Sequence, residues 1–363
     1  MRREAITSGE YAPRHEGIRN HKLVLFAQGQ GNLEVGMGVG LADRSPAAKN
    51  VLIQADETLR DLLGFNISDL LREGPKDLLN QTDVAQPAAA VGALMSEAAL
   101  IENGIPINAE WFAGNSFGLL IAARNAGSLT DRGLLRLAAK RGKALRYACS
   151  LEETTLAATR GLPIEELQER IKTYEARNGL EDELKLCLVN VDRVLPVDGV
   201  EDLNKLQIVI GGRVTDVQRL RQEQGLVDKI TPLTVDGAFH HPKYMNPAVP
   251  LWIQALEEEA AEIYDPIQGV LIGNTRPVPL GTRDEVVREF KDQFTNPVLH
   301  AEGMRFLFLY NGAGEMLELA ANPRFSNMNK DMFGGQRPER IATPSIGEGD
   351  RGVTIAQSWR AAA

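Results

Sequence analysis

The sequence predicts an α/β protein in two parts, a larger α/β unit interrupted by a small β-α-β-β-α-β unit. Three observations carry this. Short apolar runs end on glycine turns and are followed by helical stretches; between residues 154 and 236 strands and helices alternate in a self-contained order; and after Gly237 the chain returns to helix and strand. The expected boundaries are a polar tail over 1–21, a large unit over 22–153 and 237–333, a small unit over 154–236, and a second tail over 334–363. Both tails are rich in charge, Gly and Pro and lack apolar periodicity, so they are expected to be mobile or loosely docked.

Taken in order, KLVLFAQ (22–28) reads as a buried strand running into a glycine turn at Gly29–Gly31. Residues 47–63 and 88–103 read as helices, and AEWFA (109–113) as a second short strand ending on a turn. From Ser128 a strongly periodic helix begins, with Ser128 or Thr130 able to cap it and Asp131 suited to the positive end of its dipole. The small unit then reads strand 155–162, helix 164–178, strands 184–192 and 205–211, helix 214–224 and strand 229–236, the order of a ferredoxin-like unit. Later strands are expected over 269–273, 305–309 and 316–320.

Composition excludes several function classes. Forty basic against 49 acidic residues give a net charge of −9, which argues against nucleic acid as a partner, because phosphate binding needs a basic surface. An anionic substrate would have to be met by a local positive charge. Two cysteines, Cys149 and Cys187, make neither a disulfide framework nor a metal cluster and read as buried thiols of a reducing compartment. No apolar run reaches membrane-spanning length and the N-terminus lacks a signal-peptide core, so a cytoplasmic protein is expected. No metal constellation is present, and nothing points to oligomerisation, so a monomer is expected.

The chemistry-bearing feature is Gly114-Asn115-Ser116-Phe117-Gly118, a G-x-S-x-G between a strand and a helix. A serine there sits on a tight strand-to-helix turn, and the backbone N–H of Phe117 points where an oxyanion would form. The blander alternative is a serine that merely caps the helix. A nucleophilic serine needs a base. Of five histidines, His15 and His21 lie in the polar tail, while His240 and His241 stand at the re-entry into the larger unit, where a loop can face a cleft between domains. Gly29-x-Gly31 after a strand hints at a dinucleotide site, but the third glycine of that fingerprint is missing.

Several motifs in order give the chain a resemblance to the malonyl-CoA:acyl-carrier-protein transacylases over roughly 23–320. They are GQGNLEVGM (29–37), AQPA (85–88), GNSFG (114–118), Arg141-Gly142-Lys143, GAFH (237–240) and QFTNPV (293–298). The resemblance implies an α/β-hydrolase-like large domain with a ferredoxin-like insert. It implies malonyl transfer from coenzyme A to the phosphopantetheine thiol of an acyl carrier protein, with no bound cofactor. It assigns Ser116 as nucleophile and His240 as base, with the amides of Phe117 and Leu33 as oxyanion hole. Arg141 would pair with the malonyl carboxylate, Gln86, Gln30 and Phe239 would line the substrate site, and a backbone carbonyl near Asn296 would orient the base. A buried bidentate arginine–carboxylate pair discriminates malonyl from acetyl by roughly 2–4 kcal/mol.

The chain departs from the family pattern at Asn115, where a histidine is usual, at Leu33 in place of a glutamine, in EDLNKLQ (201–207) and in AANP (320–323). The base also stays open by one residue: GAFH selects His240, whereas counting back from Met245 selects His241. An acyl-carrier-protein hydrolase of the same fold and a non-catalytic scaffold are the competing readings, and an intact Arg141 argues against the first.

Overall fold

The computed structural model describes residues 20–342 apart from 32, 105–106, 198–199, 224, 227, 320–324 and 334–339. Ten strands are found among these residues: β1 (Asn20–Ala27), β2 (Ala109–Gly114), β3 (Thr154–Arg160), β4 (Lys185–Val191), β5 (Gln207–Arg213), β6 (Ile230–Pro232), β7 (Val270–Ile272), β8 (Pro279–Leu280), β9 (Glu315–Leu319) and β10 (Arg340–Ala342). Six form one sheet in the order β10-β9-β1-β2-β7-β8, parallel throughout except for the β7–β8 pair. β1 lies near its centre. Its apolar run Leu23–Ala27 is at most 1% exposed, as expected where helices cover both faces of a parallel strand.

The helices Thr82–Glu102 and Asp131–Leu151 pack closely against each other. Gly142 allows this, because a Cβ there would lie 2.5 Å from the Asp83 Cα and the Thr82 carbonyl oxygen. The glycine thus brings its neighbour Arg141 close to the first turn of the other helix. Thr130 is the cap of the second helix, its hydroxyl accepting the Gly133 N–H at 2.9 Å; Ser128 instead donates to the Tyr264 carbonyl at 2.6 Å. Helix Thr82–Glu102 is long and apolar enough for a membrane span by length and composition, which corrects the expectation that no apolar run is that long. The protein itself buries 89% of its most apolar stretch, so it serves as the core helix of the larger unit.

The other four strands form a separate antiparallel sheet, ordered β4-β5-β3-β6. Helix Ile164–Asn178 connects β3 to β4 and Val214–Arg221 connects β5 to β6. Leu167, Ile171, Tyr174, Ile208, Ile210 and Val217 gather between this sheet and its helices in a cluster distinct from the main core. β4 also touches the larger unit, where Val189 N–H donates to the Val298 carbonyl at 2.8 Å and Val298 N–H to that of Cys187 at 3.0 Å.

Two expectations change. The stretch 305–309 is not a strand: helix His300–Arg305 runs on into a π-helical turn, Phe306–Tyr310. Its aromatic and branched residues favour strands in isolation, but the buried positions of 300–310 are His300, Ala301, Gly303, Met304 and Leu307, a helical spacing that packing imposes over propensity. Strands also reach into both stretches expected as tails, since Asn20 and His21 belong to β1 and Arg340–Ala342 form β10. The remainder of both tails, and the segment 320–323, lie outside the described residues.

Candidate active site

β2 ends at Gly114 and helix Gly118–Asn125 starts four residues later, leaving Ser116 on the connecting turn with φ +52°. A non-glycine residue with positive φ is strained and persists only where its surroundings hold it. Both flanking glycines are sterically required. A Cβ on Gly114 would overlap the Gly118 backbone, and one on Gly118 would overlap the Ala27 carbonyl at the end of β1. Asn274 pins the turn from the far side, its Oδ1 accepting the Ser116 N–H at 2.8 Å and its Nδ2 donating to the Gly114 carbonyl at 2.6 Å. The buried Glu289 carboxylate holds Asn274 in turn, accepting its N–H at 2.7 Å.

His240 also has positive φ, +68°. Its Nδ1 lies 2.6 Å from the Gln293 carbonyl, which can only accept, so Nδ1 carries the proton. Nε2 is therefore an acceptor, and it faces the Ser116 hydroxyl at 2.7 Å. Ser116 thus donates to His240, and His240 to a backbone carbonyl, an arrangement able to act as nucleophile, base and orienter with no acidic side chain in the series among the described residues. Burial, assisted by the charge of Arg141 and opposed by the Gln293 carbonyl, pushes the His240 imidazole down to about 4. The ring is neutral at pH 7 and ready to take a proton.

His241 points elsewhere. Its Nε2 faces the Glu183 carbonyl at 3.2 Å and its Nδ1 accepts the Lys243 N–H at 3.2 Å, capping the short helix Pro242–Met245. Asn296, around which the orienting carbonyl was expected, is exposed and donates to the Asp292 carbonyl at 2.8 Å. The carbonyl that meets His240 belongs to Gln293, three residues earlier, at the start of the same QFTNPV motif.

Gln293 links more than His240. Its side-chain nitrogen donates to the Ser116 carbonyl at 2.9 Å and to Asn274 Oδ1 at 2.8 Å, while its Oε1 accepts from Arg141 at 2.9 Å. Arg141 is 2% exposed, and its other terminal nitrogen donates to Gln86 Oε1 at 2.9 Å. Gln86 in turn donates to Gln30 at 2.6 Å, and the guanidinium carbon sits 5.3 Å from the Phe294 ring centre. Among the described residues no carboxylate pairs with Arg141, and its Nε has no hydrogen-bond partner. Burial alone pulls the guanidinium down to about 9. Arg124 shows the ordinary arrangement by contrast: equally buried, it is ion-paired to both Glu97 and Asp131, and its proton is held more tightly than usual. Arg141 is a desolvated cation held by neutral amides, and such a site is completed by an anion.

One cavity joins these groups, lined by Gln30, Ser116, Arg141, Leu145, Phe239, His240 and Phe294. Leu33 is buried beside Gly29 and Gly31 around a neighbouring recess, and Gly29 backs onto the Asn115 carbonyl, so Gly29 lies along the turn that carries Ser116. Phe117 is fully buried at the N-cap of helix Gly118–Asn125. Asn115 is buried and its Nδ2 has no partner among the described residues. Sequence reasoning missed Asn274, which no motif marks, and the Gln293 side chain, which lies inside a motif it did quote. Among the described residues no group of three or more His, Cys, Asp or Glu could hold a metal.

Comparison with known proteins bears on the family and the fold. The "Malonyl CoA-acyl carrier protein transacylase" of Bacillus subtilis (strain 168) is 28% identical over 312 residues, covering 85% of this chain and 90% of that protein. The "Polyketide biosynthesis malonyl CoA-acyl carrier protein transacylase PksC" of the same organism is 28% identical over 282 residues, 77% of this chain and 86% of the relative. In three dimensions the chain superposes on the acyl-carrier-protein-S-malonyltransferase of Bartonella henselae with a TM-score of 0.75 at 22% identity, covering 93% of this chain and 98% of the other. A malonyl-transacylase solved in complex with a type II polyketide acyl-carrier protein gives 0.77 at 22% identity, covering 93% and 99%. These likenesses establish the mixed α/β fold. Residues 25–323 match the family described as "Acyl transferase domain", so the chain belongs to the acyl transferase family.

Proposed function

We propose that the protein moves a malonyl group from malonyl-CoA to the phosphopantetheine thiol of an acyl carrier protein through a malonyl ester on Ser116. The observation that carries the malonyl assignment is Arg141, a buried cation with no carboxylate partner among the described residues, in the same cavity as Ser116 and His240. A free carboxylate on the acyl group would complete it. The names of the relatives support the same donor and acceptor.

In this reading the Ser116 oxygen attacks the thioester carbonyl carbon while His240 Nε2 takes the hydroxyl proton. The carbonyl oxygen becomes an oxyanion beside the amides of Phe117 and Leu33. Collapse breaks the C–S bond, and His240 returns the proton to the departing sulfur. The second half runs the same steps in reverse with the carrier thiol. The imidazolium formed in passing donates to the Gln293 carbonyl, so no acidic side chain is needed. Pairing of Arg141 with the malonyl carboxylate cancels the charge that otherwise opposes proton uptake by His240. The substrate therefore makes its own base stronger. Free cysteines and an interior apolar helix support a cytoplasmic setting.

The test is incubation with labelled malonyl-CoA and a holo carrier protein. Label should pass to the carrier with the wild type and not with Ser116→Ala. Release of malonate to water with no carrier loading would favour the hydrolase instead.

A further inference from the structure

We infer that His241 is a positioning residue that ties His240 to the four-stranded sheet, so that this sheet fixes the geometry of the Ser116–His240 pair; the inference rests on the reading of that pair as nucleophile and base. The base sits on a strained backbone and something must hold it there. Two tethers do so, and both lead to β4.

The first runs through His241. Its ring is fully buried and both nitrogens are used, since Nδ1 accepts the Lys243 N–H and the remaining nitrogen, Nε2, is left to donate to the Glu183 carbonyl. Its backbone N–H closes the turn that holds His240, donating to the Ala238 carbonyl at 3.1 Å. Glu183 precedes β4 and is held from behind by Glu175 of helix Ile164–Asn178, whose carboxylate accepts the N–H groups of Glu183 and Leu184 at 2.7 and 2.9 Å. The Glu183 carboxylate reaches forward to Lys243 and to the Tyr244 hydroxyl, and the Tyr244 ring lies 4.5 Å from that of His241. The second tether is the pairing of Val298 with Cys187 and Val189 of β4, which anchors the segment that begins with Gln293, the partner of His240 Nδ1. Thus the residue following the base and the strip of chain that orients the base are hydrogen-bonded to neighbouring parts of one strand and the turn before it. A shift of that sheet would move Nε2 relative to the Ser116 oxygen, and a misplacement of about 1 Å costs on the order of 10²-fold in rate.

Two substitutions separate the tether from ordinary packing. An asparagine places its polar atoms near the position of Nδ1, so His241→Asn keeps the helix cap and loses the Glu183 link. A glutamine reaches the position of Nε2, so His241→Gln keeps the link. For each full-length variant the rate of Ser116 phosphonylation by a small neutral fluorophosphonate is measured, together with kcat and KM for malonyl-CoA and a thermal melt. The phosphonylation needs the serine–histidine pair but no malonyl recognition, so it tests the tether even where malonyl transfer fails. We expect His241→Asn to lose about 10- to 100-fold in phosphonylation and kcat with KM little changed and the fold intact, and His241→Gln to stay within about threefold of wild type. Equal rates for wild type and His241→Asn would overturn the inference. So would equal loss in both variants, which would reduce His241 to packing. Loss of malonyl transfer in the wild type itself, with normal phosphonylation, would sink the functional reading and leave the tether standing or falling on the phosphonylation rates.

Discussion

Replacing Arg141 by methionine fills the same volume and removes the charge. In the protein the guanidinium is desolvated, oriented by Gln86 and Gln293, and without a carboxylate partner among the described residues. A malonyl carboxylate reaching it would form a buried, charge-assisted pair, and truncating one side of such a pair costs about 2–5 kcal/mol. At about 1.4 kcal/mol per factor of ten, that is a loss of about 30- to 4,000-fold in kcat/KM for malonyl-CoA. Acetyl-CoA has no carboxylate to lose, so its rate should hold or rise once the uncompensated cation is gone. Loading of each thioester onto Ser116, followed by rapid-mixing mass spectrometry, gives the ratio directly. The variant should invert or erase the malonyl preference. Equal loss for malonyl and acetyl would refute the clamp and make Arg141 a structural residue of the helix crossing.

Other outcomes follow from the same geometry. Asn274→Ala removes both hydrogen bonds that pin the strained Ser116 turn and leaves buried groups unpaired, so chemical denaturation should show a loss of about 1–3 kcal/mol and acylation should slow. Because His240 is held down to about 4, the acid limb of kcat/KM should fall near pH 4 rather than near 6.5. His240, His241 and His300 are each buried and lowered from 6.5 to about 4. The unfolded chain binds more protons than the folded one across that window, so their contribution is complete above pH 6.5 and lost as pH falls toward 4, which a series of thermal melts would show. Gly118→Ala should fail to fold natively, because its Cβ overlaps the Ala27 carbonyl backbone, and circular dichroism with a melt would reveal it.

Much of the candidate site is legible in the sequence because steric demands at this strand-to-helix turn admit few residues. Gly114 and Gly118 are forced by backbone contact, and Ser116 stands between them. His240 and His241 could not be separated by sequence, since both flank the same turn. The distinction lies in backbone conformation, with φ +68° turning the His240 ring toward Ser116 while His241 caps a helix. Asn296 and Gln293 share one motif, and which carbonyl faces His240 depends on where helix Arg283–Asp292 ends. Asn274 comes from a loop about 160 residues beyond the turn it pins (Ser116 N–H to Asn274, a separation of 158), and nothing local marks it. The 305–309 stretch shows the opposite failure, a strong local strand preference overruled by the burial of Met304 and Leu307 on one helical face. Helix Thr82–Glu102 has membrane-like apolarity that only its packing explains.

The most direct test of the central claim is the intact mass of the protein after brief mixing with malonyl-CoA and no acceptor, with the modified peptide then mapped. The account requires a single malonyl increment on Ser116 that disappears when a phosphopantetheine thiol is added and never forms in Ser116→Ala. No increment in the wild type, or an increment that survives in Ser116→Ala on another residue such as Cys149, would contradict it.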